Sequence, residues 1–274
     1  MRGTTPAPDE LLKIAVVVAR QAAGTARRMR ADGVSAVATK STATDVVTAA
    51  DRAVERQAVA ELREARPGDA VLGEEYGDAD PAGSAGHDTV RWILDPIDGT
   101  VNYLYGLPHY AVSLAAEVNG TVVAGVVRNV ATGDEWTATR GGGAYRAGRR
   151  LRGSAETDLG KSLVATGFGY DPARRAYQAG VLTQLIPHVR DIRRFGAASV
   201  DLCLAAEGAV DAYYEKGLNL WDHAAGGLVA TESGLRIDGL AGAAAGPDLL
   251  VAAPPALFGP LHEHLVRLDA AGGP

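Results

Sequence analysis

One cysteine in 274 residues, Cys203, cannot form an intramolecular disulfide. The fold therefore does not rest on a disulfide framework. The thiol lies in Val200-Asp201-Leu202-Cys203-Leu204-Ala205, an apolar-leaning helical pattern, and reads as a core group rather than a nucleophile. Long apolar runs are also missing: Ile14 to Ala19 is far shorter than the roughly 20 residues that cross a bilayer. Met1 to Pro8 lacks the apolar stretch of a signal peptide. The expectation is a cytoplasmic protein without a membrane association. Basic excess is absent: the net charge is −6, which offers no electrostatic reason to bind nucleic acid. There is no Gly-x-x-x-x-Gly-Lys-Ser/Thr pattern, which excludes a P-loop ATPase, and no internal repeat.

What is present suits a soluble chain with a substantial core, 47% apolar and 22% charged. Leu11, Ala15, Val18 and Ala22 share one face of a helix from about Asp9 to Met29. Val54, Ala58 and Leu62 mark a second, from Thr48 to just before Pro67. Strands follow: Arg91 to Leu94, alternating Val112 to Val118, a turn at Asn119-Gly120, the return strand Thr121 to Val127, then Glu135 to Thr139. The second half alternates, with helices at Pro172–Leu185, Ala197–Ala206, Leu220–Ser233 and Pro255–Leu268. Strands are expected between them at Ser162–Thr166, Ala209–Tyr214 and Asp248–Ala252. This order predicts layered α/β structure of the α+β kind, not a simple doubly wound sheet. One domain is expected over residues 1–274, with an N-terminal α+β part over about 9–155 and a C-terminal α/β part over about 156–268. Leu240 to Gly246 reads as a flexible loop and Ala270 to Pro274 as a loose tail.

Acidic residues gather where elements end. Gly73-Glu74-Glu75 follows Val71-Leu72, and Asp95-Pro96-Ile97-Asp98-Gly99-Thr100 follows an apolar strand. Asp51 and Asp222 stand at helix starts. In the second segment proline and glycine predict a turn from which Asp95 and Asp98 converge. Gly99 permits close approach of a ligand, and a following helix would offer free N–H groups to phosphate. No histidine or cysteine lies nearby at ligand spacing, and an all-oxygen set favours Mg²⁺ over Zn²⁺. Each feature also has an ordinary reading. Asp98 could cap a helix, Glu74-Glu75 could be a solvated turn, and Thr48/Asp51 and Asn219/Asp222 match capping boxes.

The joint pattern resembles the inositol monophosphatase family over nearly the whole chain, closest to its bacterial inositol-1-monophosphatase branch. The resemblance is carried by Asp45-Val46-Val47-Thr48-Ala49-Ala50-Asp51, Gly73-Glu74-Glu75, Asp95 to Asn102, Gly196-Ala197-Ala198, Asp211 to Glu215 and Trp221-Asp222-His223-Ala224-Ala225-Gly226, in order and at suitable spacing. It implies an α-β-α-β-α sandwich of the inositol monophosphatase and fructose-1,6-bisphosphatase type, usually a homodimer. It further implies a Mg²⁺-dependent, Li⁺-sensitive phosphatase using two or three Mg²⁺. Glu74, Asp95 and the Ile97 carbonyl would hold one ion, and Asp95, Asp98 and Asp222 another. Asp51 and Thr100 would orient and help deprotonate the attacking water. Gly99 and Thr100 would bind the phosphate, while Glu215 and the Ala198 backbone would meet substrate hydroxyls beside Asp98 and Asp222. Lys40 and Glu75 fall at family positions near the site. Val101 and Tyr103 stand where relatives often carry Thr and Phe.

The resemblance points to myo-inositol 1-phosphate, hydrolysed by in-line attack of a metal-activated water. Fructose 1,6-bisphosphate, histidinol phosphate and 3′-phosphoadenosine 5′-phosphate are alternatives used by relatives, and a protein-interaction role is the alternative of another class. A haloacid-dehalogenase-like phosphatase would need Asp-x-Asp-x-Thr, one residue shorter than the spacing here. His262-Glu263-His264 reads as a surface pair, and the arginines between Arg140 and Arg152 as a solvated hairpin.

Overall fold

The computed structural model describes residues 6–34, 37–40, 46–79 and 89–274. Asp45, within one motif, lies outside them. The chain opens with α1 (Pro8–Ala31), a small ladder of β1 (Ala38–Thr39) and β2 (Val46–Val47), and α2 (Ala49–Ala65). Then come β3 (Ala70–Gly73), β4 (Gly77–Ala79), β5 (Val90–Asp98) and α3 (Thr100–Tyr105). A meander follows: β6 (Ala111–Val118), β7 (Thr121–Asn129), β8 (Glu135–Thr139), β9 (Gly143–Arg146) and β10 (Arg149–Arg150). The rest alternates: β11 (Leu163–Thr166), α4 (Pro172–Leu185), β12 (Asp191–Arg193), α5 (Ala198–Glu207) and β13 (Ala212–Glu215). The last elements are α6 (Leu220–Glu232), β14 (Arg236–Asp238), β15 (Leu250–Ala253) and α7 (Pro255–Arg267).

Eight strands form one sheet in the order β10-β9-β8-β7-β6-β5-β3-β4, and five form a second in the order β12-β11-β13-β15-β14. Strand periodicity shows how the first sheet serves two cores. Val112, Leu114 and Ala116 of β6 point to the core under α1 and α2, while Ala111 and Ala115 point to the core shared with α5 and α6. That middle core also takes Ala165, Tyr213, Leu250 and Ala252 from the second sheet. A third core, with Val164, Ala212, Tyr214 and Val251, joins the opposite face of that sheet to α4 and α7. The layers thus run α1/α2, sheet, α5/α6, sheet, α4/α7.

Several expectations need correction. Asp95 to Asp98 is not a turn: β5 continues through Asp98, and the chain turns only at Gly99. Asp95 pairs with Ser113 and Asp98 with Ala111, so one extra residue bulges between them. Pro96, which has no N–H, is accommodated in this break of the ladder. The Leu240–Gly246 stretch is held by hydrogen bonds from Gly239 N to Ala243 O and from Gly246 N to Leu249 O. The 270–274 tail is not loose, because the Lys216 ammonium donates to its carbonyls. His262 and His264 are half-buried rather than a surface pair: His262 stacks on Phe258, and His264 lies tilted against His188. The basic hairpin does form, as β9 and β10, but its Arg146 is ion-paired to Asp134 and Glu207. Cys203 is buried, as expected. No helix among the described residues is long and apolar enough to cross a membrane.

Candidate active site

Asp51 is fully buried in the first turn of α2. Its Oδ2 accepts the Thr48 N–H at 2.8 Å and the Thr48 hydroxyl at 2.5 Å, completing a capping box. Its Oδ1 is left to face Thr100, whose hydroxyl lies 3.1 Å away. The same hydroxyl is 3.1 Å from the Ile97 carbonyl and, having one proton, donates to one acceptor at a time. The structural and functional readings of Asp51 are therefore compatible: the cap fixes one oxygen and directs the other. Burial raises its pKa, while hydrogen bonds from Thr48 and Thr100 and the charge of Lys40 pull it back.

The parallel register of β3 and β5 pairs Gly73 with Leu94. The next residues, Glu74 just past the end of β3 and Asp95 still within β5, stand side by side, and Glu74 N donates to Leu94 O at 3.2 Å. Burial, followed by the negative charges of Glu74, Asp98 and Asp222, holds the Asp95 carboxyl well above the usual range. Glu74 is raised to about 7, because burial outweighs the nearby Lys40 ammonium. That ammonium lies 2.8 Å from Glu74 and 2.5 Å from Glu75. Burial works against the Lys40 charge, but the two glutamates together hold its pKa above the lysine range.

Asp98 reaches across the layers to α5. Its Oδ2 accepts Ser199 N at 2.7 Å and the Ser199 hydroxyl at 2.5 Å, across a sequence separation of 101 residues. It therefore caps α5, whose own N-cap residue Ala197 has no polar side chain. Burial raises Asp98 to about 6 against the hydrogen bonds from Ser199 and neighbouring amides. Asp222 stands in the first turn of α6, where it accepts Asn219 N at 2.6 Å. Burial raises it well above the usual range, followed by the charges of Asp98 and Glu74.

Gly99 has φ 88° and ψ 41°, a left-handed conformation that turns β5 into α3. A Cβ there would lie 2.8 Å from His109 O and 3.0 Å from the Ala197 side chain, so only glycine fits. Ala198 opens α5, buried beside this turn. Glu215 ends β13 and accepts the Tyr213 hydroxyl at 2.6 Å; burial raises its pKa to about 7.

Two buried acids escaped the sequence reading. Glu55 accepts Glu75 N at 2.9 Å and Tyr76 N at 3.1 Å, and so holds the turn that carries Glu74. Its signal was available: it lies four residues beyond Asp51 on α2, beside the apolar stripe. A Cβ on Gly73 would lie 2.0 Å from its Oε1, which explains the glycine before Glu74-Glu75. Asp201 is also fully buried, and burial followed by the charges of Glu215 and Asp98 holds its carboxyl well above the usual range.

The donor set fits a hard cation. Glu74, Asp95, the Ile97 carbonyl, Asp98 and Asp222 are all oxygen donors. Their carboxyls oppose one another's ionisation in a buried place, a repulsion that a divalent cation relieves. Among the described residues no three His, Cys, Asp or Glu side chains are grouped as a ready-made metal cluster.

Known proteins match this chain in sequence and fold. A family model described as the inositol monophosphatase family matches residues 7–268. The inositol-1-monophosphatase of Mycobacterium leprae is 44% identical over 96% of this chain and 95% of its own. A protein of Pseudomonas aeruginosa named Nus factor SuhB is 43% identical over 70% of this chain and 71% of its own. The solved structure of Mycobacterium tuberculosis SuhB superposes with a TM-score of 0.81 at 38% identity, covering 97% of this chain and 99% of that one. The chain belongs to the inositol monophosphatase family and is a phosphatase.

Proposed function

We propose that this phosphatase hydrolyses a small polyol phosphate monoester, myo-inositol 1-phosphate first among them, with Mg²⁺. The observation that carries the reading is the Asp51–Thr100 hydrogen bond set beside four buried carboxylates, among which burial and then the charges of Glu74, Asp98 and Asp222 raise the pKa of Asp95. Glu74, Asp95, Asp98, Asp222 and the Ile97 carbonyl would hold the cation. Bound Mg²⁺ supplies positive charge to the phosphate oxygens and lowers the pKa of a water. The amides of Gly99 and Thr100, which open a helix and are not used by its own ladder, meet the phosphate.

Thr100 accepts a hydrogen bond from the attacking water and donates its own to Asp51. A carboxylate raised by burial is a better proton acceptor near neutral pH. Water attacks phosphorus in line, the bond to the polyol oxygen breaks, and a second water beside Asp222 returns a proton to that oxygen. No covalent intermediate forms. Glu215 and the Ala198 backbone bind the ring hydroxyls. The reading takes residues 1–274 as one domain of a cytoplasmic homodimer that uses two or three Mg²⁺ and is inhibited by Li⁺.

Phosphate release from inositol 1-phosphate, fructose 1,6-bisphosphate, histidinol phosphate and 3′-phosphoadenosine 5′-phosphate tests it, each with Mg²⁺, with EDTA and with added Li⁺. The expected pattern is Mg²⁺-dependent, Li⁺-sensitive release that favours inositol 1-phosphate. Preference for another ester overturns the substrate and keeps the chemistry. A second reading rests on the relatives named Nus factor SuhB, at 43% and 36% identity: a protein-interaction role beside catalysis. Inability to hydrolyse any of the four esters would favour that role.

A further inference from the structure

Residues 269–274 lie behind the strand that carries Glu215. Successive side chains of a strand point to opposite faces. Glu215 ends β13 with its carboxylate against Gly167, where a Cβ would lie 1.9 Å from Oε2. Gly167 thus leaves the space that the carboxylate fills. The next residue, Lys216, turns the other way and is 9% exposed. Its ammonium donates to the carbonyls of Ala271 at 2.8 Å, Gly272 at 2.6 Å and Gly273 at 3.2 Å. An ammonium has three protons and a high cost of burial unless each is met; here three carbonyls meet them.

The same tail is held from α4. The Tyr177 hydroxyl is 2.9 Å from Asp269 O and 3.0 Å from Asp269 Oδ2, and Arg174 Nε donates to Pro274 O at 3.1 Å. Gln178, buried on the same helix, joins both walls of the Glu215 slot. Its Nε2 donates to Lys216 O at 3.3 Å, and its Oε1 accepts Gly169 N at 2.9 Å. Backbone on either side of the carboxylate is therefore pinned through one side chain, and that backbone is anchored in turn by the tail.

Resting on the assignment of Glu215 to the substrate's ring hydroxyls, we propose that Lys216, Gln178 and the 269–274 segment form a strap that positions Glu215 and thereby sets the preference for polyol esters. Lys216 is a positioning residue: it touches neither the substrate nor the cation ligands. The strap acts on recognition of the alcohol, not on the attacking water.

The test uses the full chain with saturating Mg²⁺ and two esters, inositol 1-phosphate and p-nitrophenyl phosphate, the second lacking ring hydroxyls. Lys216→Met keeps the stem and removes the ammonium. Gly273→Ala acts from the other end, since Gly273 has φ +73° and a Cβ there would lie 2.6 Å from the Tyr177 ring. In both variants the ratio of kcat/KM for the inositol ester to that for the aryl ester should fall about tenfold, mainly through KM, the scale of one charged hydrogen bond lost at the substrate. Lys216→Arg, which keeps donors, should recover most of the ratio. If Lys216→Met does not fold, Gly273→Ala carries the test alone. A lower Tm with an unchanged ratio would mean that the tail only completes the fold, and overturns the strap. Glu215→Gln, assayed in parallel, separates the two levels. If it moves the ratio and the strap variants do not, the strap alone fails. If it also leaves the ratio unchanged, the assignment of Glu215 fails and the strap with it.

Discussion

At the scale of single residues, Asp51 shows one carboxylate serving two roles through two oxygens. Oδ2 belongs to the helix cap and Oδ1 to Thr100. The roles separate by substitution. Asp51→Asn keeps an acceptor for Thr48 but loses the proton acceptor, so kcat should fall by roughly 10²–10⁴ with Tm nearly unchanged. Asp51→Ala should lose the cap as well, at a further cost of about 1 kcal/mol in urea unfolding. Equal loss of stability in both variants would contradict this division. The capping-box spacing of Thr48 and Asp51 was legible in the sequence, because both partners sit on one turn. Glu55 was less so: it holds the backbone beyond Glu74 from a different element. Lys40 could be placed near the site only by resemblance, since its ion pairs span 34 and 35 residues of sequence.

At the scale of elements, the main helices and the meander followed from periodicity, and their ends fell within a few residues of expectation. The error at Asp95–Asp98 has a physical origin. Proline and glycine commonly mark turns. Here Pro96 sits in a bulge, which lets β5 carry both aspartates past the end of regular pairing. The cap of α5 was invisible for another reason: its acceptor, Asp98, belongs to β5. Ser199→Ala removes the hydroxyl donor to that carboxylate and should cost about 1 kcal/mol of stability. It should also weaken Mg²⁺ binding, measured by calorimetry, because Asp98 loses part of its anchor. Unchanged affinity would show that the backbone amides at the start of α5 suffice. Short strands such as β12 and β14 gave no period long enough to read; each has three residues.

At the scale of the whole molecule, two sheets and three helical layers bring distant acids to one place and bury them. Burial disfavours their charge and raises Glu74 and Glu215 to about 7 and Asp98 to about 6. Between the ordinary carboxylate values of 4.5 and 3.8 and these raised ones, the fold retains protons that the unfolded chain has lost. Stability therefore falls as pH rises through that window. The Tm of EDTA-treated protein should drop from about pH 4 to about pH 7, and Mg²⁺ should flatten or reverse the trend by favouring the ionised forms. A metal-free Tm that rises over the same range would contradict the clustering of these acids. The layered architecture was legible from the order of elements together with the family motifs. The junction between layers was not, because it is made by contacts such as Asp98–Ser199 that no local pattern encodes.

Asp95, shared by both proposed cation positions, is the residue on which the proposed Mg²⁺-dependent chemistry turns. The most direct measurement is phosphate release from inositol 1-phosphate as a function of Mg²⁺, for the native protein and for Asp95→Asn, with Mg²⁺ affinity followed in parallel by calorimetry. The account predicts saturable activation of the native protein, and for Asp95→Asn a folded protein with activity reduced by at least about a thousandfold and weakened Mg²⁺ binding. Near-native hydrolysis by Asp95→Asn, or native activity indifferent to Mg²⁺ and EDTA, would contradict it.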